Sequence, residues 1–312
     1  MAWNETLPDM VTPILHISVL LLAPPLLMGV INKTKAWAAG RRGPPLLQLY
    51  YDVFRLFRKD TVLSRTTTWV FRAGPVVGVT AVLLAGLLAP FGAFDAPLSF
   101  DGDLVLFAYL MGLARFFTAA AALDTGSAFE GMGAAREVSF ASLAEVALFV
   151  AFVVLVRLSG SLSLTPMLHA PMTGAFHGLP AAALLLVGVA LFVVLLAENA
   201  RIPVDDPNTH LELTMIHEVM VLDHSGPLFG LVLYGASVKL LLFSSLLLHF
   251  ALPFSFGAPL LDWALFGVGL LAVAIAVGVV ESVMARLRLR HVPSLLIAAS
   301  VLCAFGFFFT LA

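Results

Sequence analysis

Charge is what this chain has least of. Only 12% of its 312 residues are Asp, Glu, Lys or Arg, against roughly 25% in soluble proteins. A soluble domain of this size needs more polar surface than that. Cysteine is almost absent too, with Cys303 the single example. One thiol excludes an intrachain disulfide, and by itself it cannot hold an iron–sulfur cluster or a structural zinc. The opening MAWNETLPDM has acids but neither Lys nor Arg, so it does not read as a secretory signal peptide. The same two residues are missing from three later stretches, FDAPLSFDGD, SGSLSLTPMLHAPMTGAFHG and PFSFGAPL. No internal repeat, low-complexity tract or soluble domain is visible. Residues 1–312 therefore read as a single polytopic membrane domain with no nucleic-acid surface.

Apolar residues fill the space that charge leaves: 61% of the chain is hydrophobic and its mean hydropathy is +1.02. A membrane-spanning helix needs about 20 mainly apolar residues. Eight such runs are legible, near 12–31, 74–92, 104–122, 140–158, 180–198, 228–250, 261–280 and 294–311. The expected fold is an all-α integral membrane protein of eight transmembrane helices. Fourteen of the 17 Lys and Arg fall in the first, third, fifth and seventh loops. By the positive-inside rule the odd-numbered loops are cytoplasmic and both termini lie outside. The first loop contains PPLLQLYYDVFRLFRKD, with Leu46, Leu49, Val53, Leu56 and Phe57 at helical spacing among basic residues. That pattern predicts an amphipathic helix on the membrane surface.

Three cations remain inside spans. Arg157 is near an outer helix end, where it can snorkel. Arg115 and Lys239 are near mid-helix, where a charge usually faces a polar interior. Acids accompany them. Glu145 enters the fourth span, and Glu198 and Glu281 end the fifth and seventh. Asp124, Glu130 and Glu137 belong to a loop, DTGSAFEGMGAAREVS, whose GMGAA permits close backbone approach. Any one acid can be a plain ion-pair partner, for example Glu145 with Arg115 or Lys239. As a set at the inner ends of several helices, they suit proton exchange.

Residues 198–227, ENARIPVDDPNTHLELTMIHEVMVLDHSGP, carry six acids and three histidines between greasy neighbours. Glu198 and Arg201 are spaced to pair on one helical face. Pro203 stops the helix. A new one is expected over about 207–222, starting at Asp206-Pro207 or at Thr209, with Gly226 as its C-cap. His210, His217 and His224 then recur every seven residues, about 10 Å apart along the axis and too far to share one ion. His217-Glu218 begins like a zinc-protease motif, but Val221 stands where the second histidine belongs. The readings left are an ordinary solvated loop, since acids at helix starts are routine, or a polar network at the membrane boundary, for docking or for proton entry.

This segment resembles the membrane subunit of formate hydrogenlyase and hydrogenase-4, a group related to subunit 1 of respiratory complex I. GRRGP at 40–44, LLQLYYD at 46–52, RKD at 58–60 and GMGAAREVSFASLAE at 131–145 extend the likeness in order through nearly the whole chain. The resemblance implies a polytopic anchor for a peripheral arm, with a hydrogenase-like large subunit, an iron–sulfur small subunit and antiporter-like membrane neighbours. The nickel–iron centre and clusters belong to those partners, and this chain is expected to bind no cofactor. The site in a prokaryotic inner membrane would have two parts. Arg41, Arg42, Asp52, Arg201, Asp205, Asp206, His210, His217, Glu218, Asp223 and His224 are expected to dock the arm. Glu145, Glu198, Glu212, Glu281, Asp124, Glu130 and Glu137, with Arg115 and Lys239 as counter-charges, are expected to couple redox chemistry to proton or sodium movement. Complex I differs at three places: its first loop is longer than GRRGPP, it has acids at the positions of Asn208 and His210, and its Ser-Tyr-Glu is Ser139-Phe140-Ala141 here, with Glu145 one turn later. These departures favour the hydrogenase branch over the quinone-binding membrane component of a NADH-quinone oxidoreductase. A free-standing ion transporter is the third reading, and many such folds have inverted repeats, which this sequence lacks.

Overall fold

A computed structural model describes residues 11–92, 94–169, 179–205, 216–251 and 259–311. The helices are α1 (Val11–Ala38), α2 (Gln48–Phe57), α3 (Trp69–Leu88), α4 (Asp103–Asp124), α5 (Ala128–Ser159), α6 (Leu164–His169), α7 (Leu179–Glu198), α8 (Gly226–Ala251), α9 (Pro259–Val283) and α10 (Val292–Phe309). Among the described residues, eight helices are long and apolar enough to cross a membrane. They match the eight runs read from the sequence. The surface helix is α2, shorter than the apolar pattern and lying against α8 and α1.

In the bundle, α3 lies between α4 and α8, α1 between α8 and α9, and α10 against α5 and α7. Small residues permit close approach, as is usual where lipid offers no hydrophobic driving force between helices: a Cβ added at Gly74 of α3 would stand 2.6 Å from the Ala121 Cβ of α4. Outward faces are apolar: Leu22, Tyr109, Phe116 and Val268 are all exposed, as lipid contact requires.

Two phenols tie the bundle to α1. Pro24 and Pro25 interrupt its backbone ladder, and Pro25 has no N–H for the Leu21 carbonyl. The Tyr234 hydroxyl donates to that carbonyl at 2.9 Å. Tyr50 of α2 donates to the Leu22 carbonyl beside it, and burial pushes the Tyr50 phenol above its ordinary range.

Three boundaries correct the sequence reading. The expected loop 124–139 is mostly helix, since α5 begins at Ala128. Gly133 lies inside that helix, at a point where an added Cβ would stand 3.0 Å from the Ile216 carbonyl oxygen. It reads as a loop residue but serves helix–backbone contact. The helix expected over 207–222 is not α-helical where it is described: a turn leads to a short 3₁₀ helix at Glu218–Val221, and 207–215 lies outside the described residues. Gly226 does not cap it. Gly226 starts α8 with φ 54°, and an added Cβ would meet the Asp60 carbonyl oxygen at 2.5 Å.

Candidate coupling site

Four spans bring their charges to one point. Arg115 of α4 reaches both oxygens of Glu198, at the end of α7, at 2.7 Å each. Its other terminal nitrogen meets Glu145 of α5. Glu137, one more α5 residue, is 4.0 Å from Arg115 Nε. Lys239 of α8 lies 2.7 Å from Glu198 Oε2. The Glu198 side chain is only 3% exposed, while that of Glu145 is 39% exposed. A buried carboxylate survives as an ion only with partners of this kind. The helical start of α5 is what aims Glu137 and Glu145 at the same guanidinium.

Glu198 and Arg201 do not pair, contrary to their spacing. The reason is local: α7 stops at Glu198 and Ala200 adopts a left-handed φ of 49°, turning Arg201 off the helical face. Arg201 joins a second cluster instead. Its guanidinium lies 3.3 Å from Glu281 and against the Met28 sulfur. Lys35 of α1 closes on Glu281 at 2.8 Å. Nothing in the sequence near Lys35 announces that pairing.

Asp205 fastens the loop. It accepts the Ile216 and His217 amide protons at 2.9 and 3.1 Å, and Arg286 pairs with it at 3.0 Å. Asp124 stands apart from the charge clusters. It accepts from the Thr68 amide and hydroxyl and from the Phe71 amide, at 2.6, 2.7 and 3.2 Å, satisfying free N–H groups at the start of α3. Glu130 is wholly buried and accepts the Asp223 amide proton at 3.0 Å.

The expected docking residues divide. Arg41, Arg42 and Asp223 are exposed, and Asp52 is part-exposed and bonded to Gln48 and Arg55. Glu218 and His217 are half-buried. Arg201, Asp205 and His224 are buried and face their own chain. Asp206, His210 and Glu212 lie outside the described residues.

Beside the Glu198 cluster is a cavity of about 100 Å³ walled by α3, α4, α8 and the Glu218–Val221 turn. Its lining is apolar along Pro75, Val79 and Val82 and charged at Arg115, Glu137, Glu198 and Lys239. His217 and His224 also line it. Burial pushes both imidazoles below their ordinary range, His224 to about 4. The sequence pattern puts these two histidines on a docking face; in the structure both line the cavity.

The family model for NADH dehydrogenase matches residues 11–312. Formate hydrogenlyase subunit 4 of Escherichia coli (strain K12) is 31% identical over 307 residues, covering 95% of each chain. Hydrogenase-4 component C of the same organism is 32% identical over 76% of this chain and 73% of its own. A chain of the membrane-bound sulfane sulfur reductase, an archaeal respiratory membrane complex, superposes with a TM-score of 0.82 at 23% identity, covering 96% of this chain and 98% of that one. That likeness shows the same fold. With its eight apolar spans, the chain is a multi-pass membrane protein and belongs to the NADH dehydrogenase family, alongside formate hydrogenlyase subunit 4 and hydrogenase-4 component C.

Proposed function

We propose that this chain is the membrane anchor and ion-coupling subunit of a complex-I-like, energy-converting hydrogenase. The observation that carries the reading is Glu198, an acid 3% exposed and held by two cations from two other spans, in a chain similar along 95% of its length to formate hydrogenlyase subunit 4. Such a cluster changes its proton affinity when any one charge moves, which is what coupling requires. The redox centres belong to partners. The chain's only thiol, Cys303, is buried on α10 and suits no cluster. The partners are a hydrogenase-like large subunit, an iron–sulfur small subunit and antiporter-like membrane subunits. The arm docks on the cytoplasmic face through exposed Arg41 and Arg42, the α2 helix and Asp223. The buried Arg201, Asp205 and His224 support that surface from beneath.

Affinity purification of the tagged chain in mild detergent tests this. Nickel and a hydrogenase-like large subunit are expected with it. Recovery of the chain alone from gently treated membranes contradicts the anchor reading. The cavity favours one competing reading, a quinone-binding subunit, because its apolar wall ends in charge. Quinone-dependent turnover blocked by quinone-site inhibitors would support that reading instead.

A further inference from the structure

We propose that Trp37 and Val283, at the inner ends of α1 and α9, form an apolar docking patch for a subunit of the peripheral arm that presents an apolar pocket rimmed by carboxylates. The proposal rests on the anchor reading above and names the contact that holds the arm.

Trp37 is 82% exposed and Val283 79%, the two most exposed large apolar side chains among the described residues. Met284, next to Val283, is exposed as well. The two helix ends are neighbours: a Cβ added at Gly278 of α9 would stand 2.7 Å from the Thr34 Cβ of α1. Just beyond, Lys35 of α1 meets Glu281 of α9 at 2.8 Å. Trp37 and Val283 each follow that ion pair by two residues. The helix α1 has 28 residues, about 42 Å at the rise of an α-helix, whereas the hydrocarbon core is about 30 Å thick. The surplus is at the inner end, because the apolar run stops at Ile31, before Asn32 and Lys33. Trp37 stands about 9 Å farther along the axis. Apolar side chains exposed together beyond the lipid tails, with polar neighbours, mark a protein contact.

The tip of α1 is also fixed in shape. Its corner is a Schellman turn: Gly40 takes a left-handed φ of 66°, the Arg41 amide donates to the Ala36 carbonyl at 2.7 Å, and the Gly40 amide donates to the Trp37 carbonyl at 3.0 Å. Lys33 Nζ donates to the Arg42 carbonyl at 2.8 Å. The chain then returns along α1, with Gly43 on Ala36 and the Leu46 carbonyl on Gly29, where no Cβ fits. The backbone that carries Trp37, Arg41 and Arg42 is therefore ordered before a partner arrives, and docking loses little entropy there.

Charge names the partner. Neither 32–47 nor 282–294 contains an acid, and Arg41, Arg42 and Arg288 are exposed. An apolar centre with a cationic rim complements an apolar pocket with an acidic one. Trp and Arg are also the residues on which binding energy concentrates.

The test uses the intact complex, bound to resin in mild detergent through a tag on this chain. Mass spectrometry follows the rate at which the hydrogenase-like and iron–sulfur subunits leave. Trp37→Ala is expected to release them about thirtyfold faster, a hot-spot loss expressed in the off-rate. Val283→Ser should speed release by less, and Trp37→Phe, which keeps a ring for the pocket, should stay near the parent rate. If the parent holds the arm and Trp37→Ala and Val283→Ser release it no faster, the patch is overturned and the anchor reading stands. If the parent brings no arm subunits, the anchor reading itself fails. The same rates are measured in nanodiscs with and without anionic phospholipid. A Trp37→Ala effect confined to the anionic nanodiscs assigns the patch to lipid headgroups and also overturns the proposal.

Discussion

Removing Lys239 tests how far Glu198 depends on its two cations. In Lys239→Met the Glu198 carboxylate loses a partner at 2.7 Å while its side chain stays 3% exposed. Breaking a buried pair by removing one member typically costs about 3–5 kcal/mol. Two features reduce that here. Arg115 still holds both oxygens, and the carboxylate can escape by taking a proton. A loss of about 2–3 kcal/mol, at or just under the low end of that range, is expected. The assay is denaturant unfolding of the detergent-solubilised complex for Lys239→Met, Glu198→Gln and the double variant. The double variant should recover much of the loss, giving a coupling energy of about 2 kcal/mol. Additive effects, or a Lys239→Met variant as stable as the parent, would refute the reasoning, because Glu198 would then not depend on Lys239.

Three further outcomes follow from particular residues. The His224 imidazole is held near 4 by burial, below an unfolded value of about 6.5. Its contribution to stability is therefore complete above pH 6.5 and is lost as pH falls from 6.5 towards 4. Unfolding at pH 7.5 and 4.5 should differ by up to about 3 kcal/mol on this account, and His224→Phe should remove that part of the slope. Asp205→Ala removes the acceptor for the Ile216 and His217 amides; their hydrogen exchange should speed by roughly tenfold or more, and unchanged protection would mean another group holds the loop. Ala200→Gly should stabilise by about 1 kcal/mol, since Ala200 has a φ of 49° that glycine adopts more easily. A destabilised variant would show that the Ala200 methyl packs usefully.

Hydropathy made the bundle legible, because a span announces itself within about 20 residues. The eight runs, the end of α7 at Glu198 and the surface helix at Gln48–Phe57 all follow from local pattern. The start of α5 did not. Glycines and charges across 124–139 have the composition of a loop, and the contact that calls for a glycine at Gly133 comes from Ile216, far along the chain. The candidate site divides the same way. A mid-span arginine advertises a buried partner, so the meeting of Arg115 with Glu145 was foreseeable. The choice of Glu198 by Arg115 and Lys239, and of Glu281 by Lys35 and Arg201, depends on which helices become neighbours. The place of His217 and His224 on the cavity wall depends on the chain path over 216–224, where the described residues form a 3₁₀ turn at Glu218–Val221 and no regular helix.

Proton translocation by the Glu198→Gln complex tests the central claim most directly. Gln keeps the size of the side chain and removes the charge that Arg115 and Lys239 meet at 2.7 Å. Sealed vesicles report protons moved per electron, and subunit composition is checked on the same sample. The account predicts an assembled complex that turns over with translocation lost. An assembled Glu198→Gln complex that moves protons at the parent ratio contradicts it, and Glu198 would then be an ion-pair strut in a passive anchor.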